Sequence, residues 1–386
     1  MARILYFTRD YTTHDHRFLS ALAKTEHKVY YLRLEHGAHQ FEDRPLPPEI
    51  EAVSWAGGLR PVRLGDGLRL LASLKGVIRQ VQPDLIQAGP IQRSAFLAAL
   101  SGFHPLISMS WGYDLIHDAR RDIFWAWATR FTLRRSDLLV GDCNTIRQLA
   151  VDYGMPDERI VTFPWGVDIC HFSPASAESA DSRATEKEDT FTLLSTRSWE
   201  PIYGIDMIAR AFSQAAQQHP ELRLVMLGNG SQAELLHSTF AQAGVSDRVF
   251  TPGQIGQAEL PRWYGMADLY ISASHSDGTS ISLLEALACG KPALVSDIPG
   301  NREWVTPGEN GWLFQDGDSN SLAEAISSAV GQRDRLPEMG RSARRLAEMR
   351  ADWSNNFQVL LSAYPQVLKS GGKVAGGKIA GDKIDA

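Results

Sequence analysis

Two acids, Asp277 and Glu285, stand seven residues apart around a small polar loop, Gly278-Thr279-Ser280. A strand-like run ends at Ile271-Ser272, the loop follows, and an apolar helix starts around Ser280–Ser282 and carries Glu285. The first turn of a helix offers unpaired backbone N–H groups and the positive end of a dipole, worth roughly 0.3–2 kcal/mol to a nearby anion. Gly278 has no Cβ, so a phosphate can approach the backbone there. A carboxylate beside a phosphate is unfavourable. The two acids are better matched to sugar hydroxyls, which donate hydrogen bonds to them. The bland alternative is a surface acid pair at a helix start, because this spacing alone is common by chance.

The elements that must position these residues read as strands alternating with helices. In the first half, strands are expected at Ile4–Phe7, His27–Leu32, Leu85–Ala88, Pro105–Met109, Asp137–Gly141 and Arg159–Phe163. Helices fall between them, at Arg17–Lys24, Leu68–Gln82, Ser94–Leu100, Arg120–Arg135 and Thr145–Asp152. Thr12 with Asp15 three residues on forms a capping box for the first helix. The alternation restarts at Thr190–Ser195 and continues through strands at Arg223–Leu227, Arg248–Phe250, Leu269–Ser272 and Ala293–Ser296. Such alternation predicts α/β domains with parallel sheets and right-handed crossovers. Ligands of such sheets bind at the carboxyl ends of the strands. The expected organisation is a first domain over 1–174, a linker or surface loop at 175–189, and a second domain over 190–350. A helix at 351–369 then returns to the first domain, and a flexible tail covers 370–386. The linker is almost devoid of apolar residues beyond alanine, and the tail is Gly/Lys-rich.

Composition bounds the function. The chain has 386 residues and a formal net charge of −6, which predicts two domains or three. That charge argues against a nucleic-acid partner, which normally meets a basic excess. It does not exclude a small anion, since charges are screened over about 8 Å at physiological salt. Cys143, Cys170 and Cys289 form no C-x-x-C pair, which fits a reducing cytoplasm better than a disulfide framework or a zinc site. The N-terminus lacks a signal-peptide pattern. No apolar run approaches the roughly 18 residues of a membrane span. Peripheral contact with the inner membrane leaflet stays open through the helix at 120–135, which mixes aromatics with five arginines. Its alternative reading is a core-packed helix whose arginines snorkel.

The stretch Ser274–Pro299, SHSDGTSISLLEALACGKPALVSDIP, resembles the E-x7-E motif of the family-4 retaining glycosyltransferases, with Asp277 in place of the first Glu. The resemblance covers most of the chain. It implies a GT-B architecture, two Rossmann-like domains facing a central cleft. By that resemblance Glu285 grips the nucleotide ribose and Asp277 lies at the donor sugar. The family has an Arg and a Lys on the donor diphosphate. Arg197 matches the first, whereas Tyr203 stands at the Lys position and leaves a hydroxyl at best. Leu227-Gly228-Asn229-Gly230 resembles the family's G-x-G turn, and Gln254-Ile255 the loop whose backbone holds the nucleobase. Asn310–Phe314 resembles a structural turn.

In the first half, Phe163-Pro164-Trp165-Gly166-Val167-Asp168 resembles the segment that ends the family's first domain, with Asp168 pinning a loop. Trp111-Gly112-Tyr113-Asp114 stands where many members carry a His, so a His base is not expected there. Asp114 either pins that loop or contacts substrate. His14 and His16 either line the acceptor side or serve as polar residues of a first helical turn. The implied reaction moves a sugar from a UDP- or GDP-linked donor to a saccharide or lipid-linked hydroxyl acceptor. It proceeds with retention, without metal or cofactor, in cell-surface polysaccharide or glycolipid synthesis. Asp277 and Arg197 are its catalytic candidates. The competing readings are a non-catalytic sugar-nucleotide-binding partner and an epimerase or phosphorylase on the same fold.

Overall fold

The computed structural model describes residues 1–36, 42, 44–174 and 190–369. The expected linker at 175–189 and tail at 370–386 lie outside the described residues. The chain forms two compact units. One is Met1–Phe163 with the chain from Phe357 onward, and the other is Pro164–Asn356.

The first unit holds seven strands: β1 (Arg3–Thr8), β2 (Lys28–Arg33), β3 (Glu51–Ala52), β4 (Leu85–Gly89), β5 (Leu106–Met109), β6 (Leu138–Gly141) and β7 (Ile160–Thr162). They pair in the order β3-β2-β1-β4-β5-β6-β7, all parallel. A parallel sheet covered by helices on both faces needs continuous apolar runs. The run Ile4-Leu5-Tyr6-Phe7 supplies one and is fully buried. The helices follow from local signals. Thr12 and Asp15 make the expected capping box at the start of Thr13–Leu22. In Gly67–Val81 the buried face is Leu70, Leu74, Val77 and Val81, spaced by the helical period. Gln82 closes that helix in a left-handed conformation, just ahead of Pro83. Full burial of each such aliphatic contributes about 1.5–3 kcal/mol. From Phe357 onward the last helix, Trp353–Lys369, packs on this unit. Phe357 meets Phe18 edge-on, and the Tyr364 hydroxyl donates to the Gln87 side chain.

The second unit holds β8 (Phe191–Ser195), β9 (Leu222–Leu227), β10 (Val249–Gly253), β11 (Leu269–Ser272), β12 (Ala293–Ser296) and β13 (Gly311–Phe314). Their order is β10-β9-β8-β11-β12-β13, again parallel. In each sheet the strand order reverses once, between β1 and β4 and between β8 and β11. These are the points at which doubly wound sheets take ligands.

Three expectations are corrected. The run Gly311–Phe314 is not a turn but an edge strand, in register with β12 from Ala293↔Gly311 to Ser296↔Phe314. A Cβ on Gly311 would lie 2.0 Å from the Ala293 carbonyl oxygen, so the strands meet there only because the residue is glycine. The helix expected from Ser94 begins earlier, with a π-helical turn at Ile91–Ala95. The segment from Pro164 to Phe172 groups with the second unit, not the first. Val167 N–H donates to the Ala351 carbonyl at 2.7 Å, and Arg344 holds the carbonyls of Ile169 and Phe172. Phe172 packs edge-on against Tyr264.

Candidate functional site

Arg197 follows β8, and the loop Asp277–Ser280 follows β11, so both stand at the reversal point of the second sheet. The structure brings them into direct contact. The Arg197 guanidinium pairs with the Asp277 carboxylate at 2.9 Å, and its other terminal nitrogen donates to the hydroxyls of Ser280 (3.0 Å) and Ser282 (3.2 Å). Its Cζ lies over the Tyr203 ring, 4.0 Å from the ring centre. Tyr203 therefore supports the cation from below by a cation–π contact instead of replacing the expected lysine. Burial pulls the Arg197 guanidinium down, but Asp277 beside it, with Tyr203 and Tyr270, carries it above its ordinary value. Arg197 is thus a fixed cation. Its Nε is buried and makes no hydrogen bond among the described residues.

Ser280 caps the helix Ile281–Ala288, its hydroxyl accepting from the Leu283 N–H. Thr279 and Ser280 are buried, as is Glu285 at 5% exposure. The Tyr264 hydroxyl lies 2.9 Å from the Glu285 carboxylate, 3.1 Å from the Ser282 carbonyl and 3.1 Å from the Thr196 hydroxyl. Burial, then the neighbouring Glu285, pushes the Tyr264 hydroxyl well above its ordinary value, so it stays a donor. The Asp277-Gly278 backbone rests on Gly300. A Cβ at that position would come within 2.2 Å of the Gly278 carbonyl and 2.5 Å of the Asp277 carbonyl.

Gly228, at φ +98°, lies under the Arg197 carbonyl. The turn it opens is tied to the Arg197 loop: Trp199 N–H donates to Asn229, and Ser231 N–H to the Glu200 carboxylate. Gly228 N–H donates to the Gly253 carbonyl at 2.8 Å, which joins this turn to the loop of Gln254 and Ile255. Gln254 is exposed, while Ile255 packs on the apolar cluster around Tyr264 and Leu284. The sequence-predicted residues of the second unit thus fall on four loops at one end of one sheet. Ser282, Tyr264 and Tyr270, whose hydroxyl meets Ser282 at 2.8 Å, were not singled out in the sequence. The two tyrosines sit in apolar runs, and nothing in the spacing separates them from core.

In the first unit Asp114 pins its loop. It accepts from the Ser110 hydroxyl (2.6 Å) and from the N–H groups of Ile91 (2.9 Å) and Trp111 (3.1 Å). Burial pushes its carboxyl up to about 6 despite these hydrogen bonds. Its oxygens are thereby committed to the backbone, which favours the pinning reading over substrate contact. Trp111 stacks on His14 at 5.5 Å. His14 is pushed down to about 3 by burial, then by Arg17, and is neutral at pH 7. Both ring nitrogens of His16 are engaged, Nδ1 with the Tyr11 hydroxyl (2.7 Å) and Nε2 with Ser20 (3.3 Å). That is the pattern of a first-turn polar residue. Asp168 accepts from the N–H groups of Cys170 and His171, as a loop-pinning residue does.

Residues 177–346 match the family described as glycosyl transferases group 1, and residues 12–170 match glycosyltransferase family 4. The chain belongs to these glycosyltransferases. It is 30% identical over 244 residues to a D-inositol 3-phosphate glycosyltransferase of Thermobispora bispora, covering 61% of this chain and 57% of that protein. A protein of the same name from Streptosporangium roseum is 31% identical over 205 residues, covering 50% and 47%. The chain spans about half the length of the curated relatives it matches. Sucrose-phosphate synthase from Thermosynechococcus elongatus superposes with a TM-score of 0.78 at 18% identity, covering 96% of this chain and 100% of that one. HepE from Anabaena, in complex with UDP-glucose, superposes with a TM-score of 0.76 at 18% identity, covering 95% and 100%. The chain thus has the GT-B class of fold expected from its sequence, two α/β units each built on a parallel sheet.

Proposed function

We propose that this glycosyltransferase moves a hexose-type sugar from a nucleoside-diphosphate donor to a hydroxyl acceptor, with retention and without a metal. One observation carries the reading. The fixed cation Arg197 and the capped start of the helix Ile281–Ala288 meet at the reversal point of the second sheet, with Asp277 and the buried Glu285 flanking them. This arrangement suits a group that is anionic at one end and rich in hydroxyls at the other. Glu285, held by Tyr264, takes the ribose hydroxyls, and Asp277 takes those of the sugar.

In the proposed step the bond from the anomeric carbon to the diphosphate oxygen breaks, and a bond from the acceptor oxygen forms on the same face. The leaving diphosphate gains negative charge. Arg197 and the helix N–H groups stabilise that charge, because they are already oriented and need no reorganisation. The departing phosphate oxygen takes the acceptor's proton, so no histidine base is required. Arg197 exchanges part of its pairing with Asp277 for the diphosphate as the donor binds.

The acceptor is proposed to be a saccharide or a lipid-linked group handled at the cytoplasmic membrane face, in polysaccharide or glycolipid synthesis. Ile123, Phe124 and Trp127 support this part. They are exposed at 90%, 56% and 48% on a helix bracketed by Arg120, Arg121, Arg130, Arg134 and Arg135, a combination suited to an anionic bilayer surface.

The test is a thermal-shift panel of UDP, GDP, ADP and their sugars, followed by donor turnover with the best ligand. A nucleoside diphosphate is expected to raise Tm, and its sugar to be consumed once acceptor is added. No shift with any nucleotide would overturn the donor site. Binding without turnover across many acceptors would favour the non-catalytic reading, which the occupied state of Arg197 keeps in play.

A further inference from the structure

The loop Asp277–Ser280 rests on Gly300 and is paired to Arg197. A third contact fixes the chain just ahead of it. His275, the second residue before Asp277, places its Nδ1 2.7 Å from the Asp316 carboxylate. A carboxylate only accepts, so Nδ1 donates and the orientation of the ring is set. His275 follows β11 and Asp316 follows β13. Strand β12 lies between those two, so the pair spans it and ties the loop to the edge of the sheet.

Both partners are anchored by their own surroundings. Asp316 stands in a turn closed by the Asp318 N–H on the Gln315 carbonyl (3.2 Å), and Asp318 then caps the helix Ser319–Gly331. His275 N–H donates to the Ile202 carbonyl at 2.9 Å, next to Tyr203, over whose ring Arg197 lies. The preceding carbonyl, that of Ser274, accepts from the Ser296 hydroxyl, which Asn301 meets in turn. These main-chain contacts persist whatever side chain stands at position 275. The bond to Asp316 does not.

We infer that His275 is a positioning residue for the proposed transfer, acting through Asp316 to set where Asp277 meets the donor sugar. The effect on turnover rests on the proposed transferase reading, whereas the anchoring of the loop does not. Only Ser276 separates His275 from Asp277, so little chain is available to absorb a shift. Ser280 and Glu285 belong to the next helix, which carries its own cap, and Tyr264 holds Glu285 independently. Turnover should therefore depend on the pair more than nucleotide affinity does. His275 and Asp316 are each about a third exposed, and such pairs add little to global stability. A misplacement near 1 Å beside reacting atoms, by contrast, can cost about a hundredfold in rate.

The experiment compares His275→Gln, His275→Asn and Asp316→Ala with wild type in the full chain. Asparagine carries its amide nitrogen on Cγ, where Nδ1 sits, and still donates to Asp316. Glutamine carries it one bond farther out. The readouts are hydrogen–deuterium exchange of the amides from Ser276 to Leu283, Tm, calorimetric affinity for the best of UDP, GDP and ADP, and kcat and KM for its sugar. His275→Gln and Asp316→Ala should speed exchange of the loop at least about fivefold and lower kcat at least about tenfold. Nucleoside-diphosphate affinity should stay within about twofold, and Tm should fall by no more than about 4 °C. His275→Asn should restore both exchange and kcat. Unchanged exchange and kcat in the first two variants would overturn the inference. So would affinity falling in step with kcat, or His275→Asn losing as much as His275→Gln. A wild-type chain that binds no nucleotide, with the exchange pattern as expected, would instead refute the transferase reading and leave the anchor standing.

Discussion

Gly300→Ala is the sharpest perturbation of the proposed donor loop, because it leaves every proposed ligand contact chemically intact. The new Cβ would sit 2.2 Å from the Gly278 carbonyl oxygen and 2.5 Å from that of Asp277, where a separation under 3.0 Å is essentially never observed. The loop must therefore yield by about 0.8 Å along its backbone. Overpacking of this kind costs about 1–3 kcal/mol, and each kcal/mol lowers Tm by about 2–4 °C in a domain of this size. The functional loss should be larger. Asp277 and the start of the helix Ile281–Ala288 move with the loop, and a misplacement near 1 Å can cost about a hundredfold in rate. The assay pairs Tm with the initial rate of donor consumption. Gly331→Ala serves as control, since a Cβ there meets open space, and it should leave both values near wild type. If Gly300→Ala retains wild-type Tm and turnover, the loop is not held where its packing places it, and the positioning argument fails.

Three further outcomes follow from particular contacts. Tyr264→Phe removes the hydroxyl beside the buried Glu285 carboxylate, and should cost about 1.5–3 kcal/mol of stability while weakening nucleoside-diphosphate binding, as denaturant melts and calorimetry would show. The contributions of Asp15 and Asp114 to stability should fall as pH rises from about 4 to 7, against the rise contributed by His14, which the fold keeps neutral. Burial raises Asp15 to about 7 and Asp114 to about 6 in the folded chain, so in that window the unfolded chain releases protons that the folded chain keeps. Asp15→Asn should make stability fall less, or rise more, over this window than in the wild type, and an unchanged difference across the window would refute the assignment. Replacing Phe124 and Trp127 by serine should reduce sedimentation with anionic vesicles while leaving nucleotide binding unchanged, and wild-type vesicle binding should weaken with salt.

The fold was legible because a parallel sheet demands continuous buried runs, and those runs stand out between polar helices. Leu269–Ser272 and Ala293–Ser296 fall where the sequence places them. Gly311–Phe314 did not, because four residues beginning with glycine look like a turn until a partner strand is in place. The loops of the proposed donor site were legible as strand-end loops through their glycines and charges. The pairing of Arg197 with Asp277 was not, since these residues lie 80 positions apart and only the sheet brings them together. Tyr203 read as a lost cation, yet its ring is the support of Arg197. On the first unit, Asp114 and His16 were each open by type between a substrate contact and a local structural role, and their hydrogen bonds run to neighbouring groups of the first unit.

In the proposed site Arg197 serves a diphosphate while Asp277 serves the sugar. Calorimetric titration of the best nucleoside diphosphate into Asp277→Asn separates the two roles. Removing the carboxylate frees Arg197 from its ion pair, so affinity for the diphosphate should hold or rise, while donor turnover falls by about a hundredfold. A loss of diphosphate affinity that matches the loss of turnover would contradict the account.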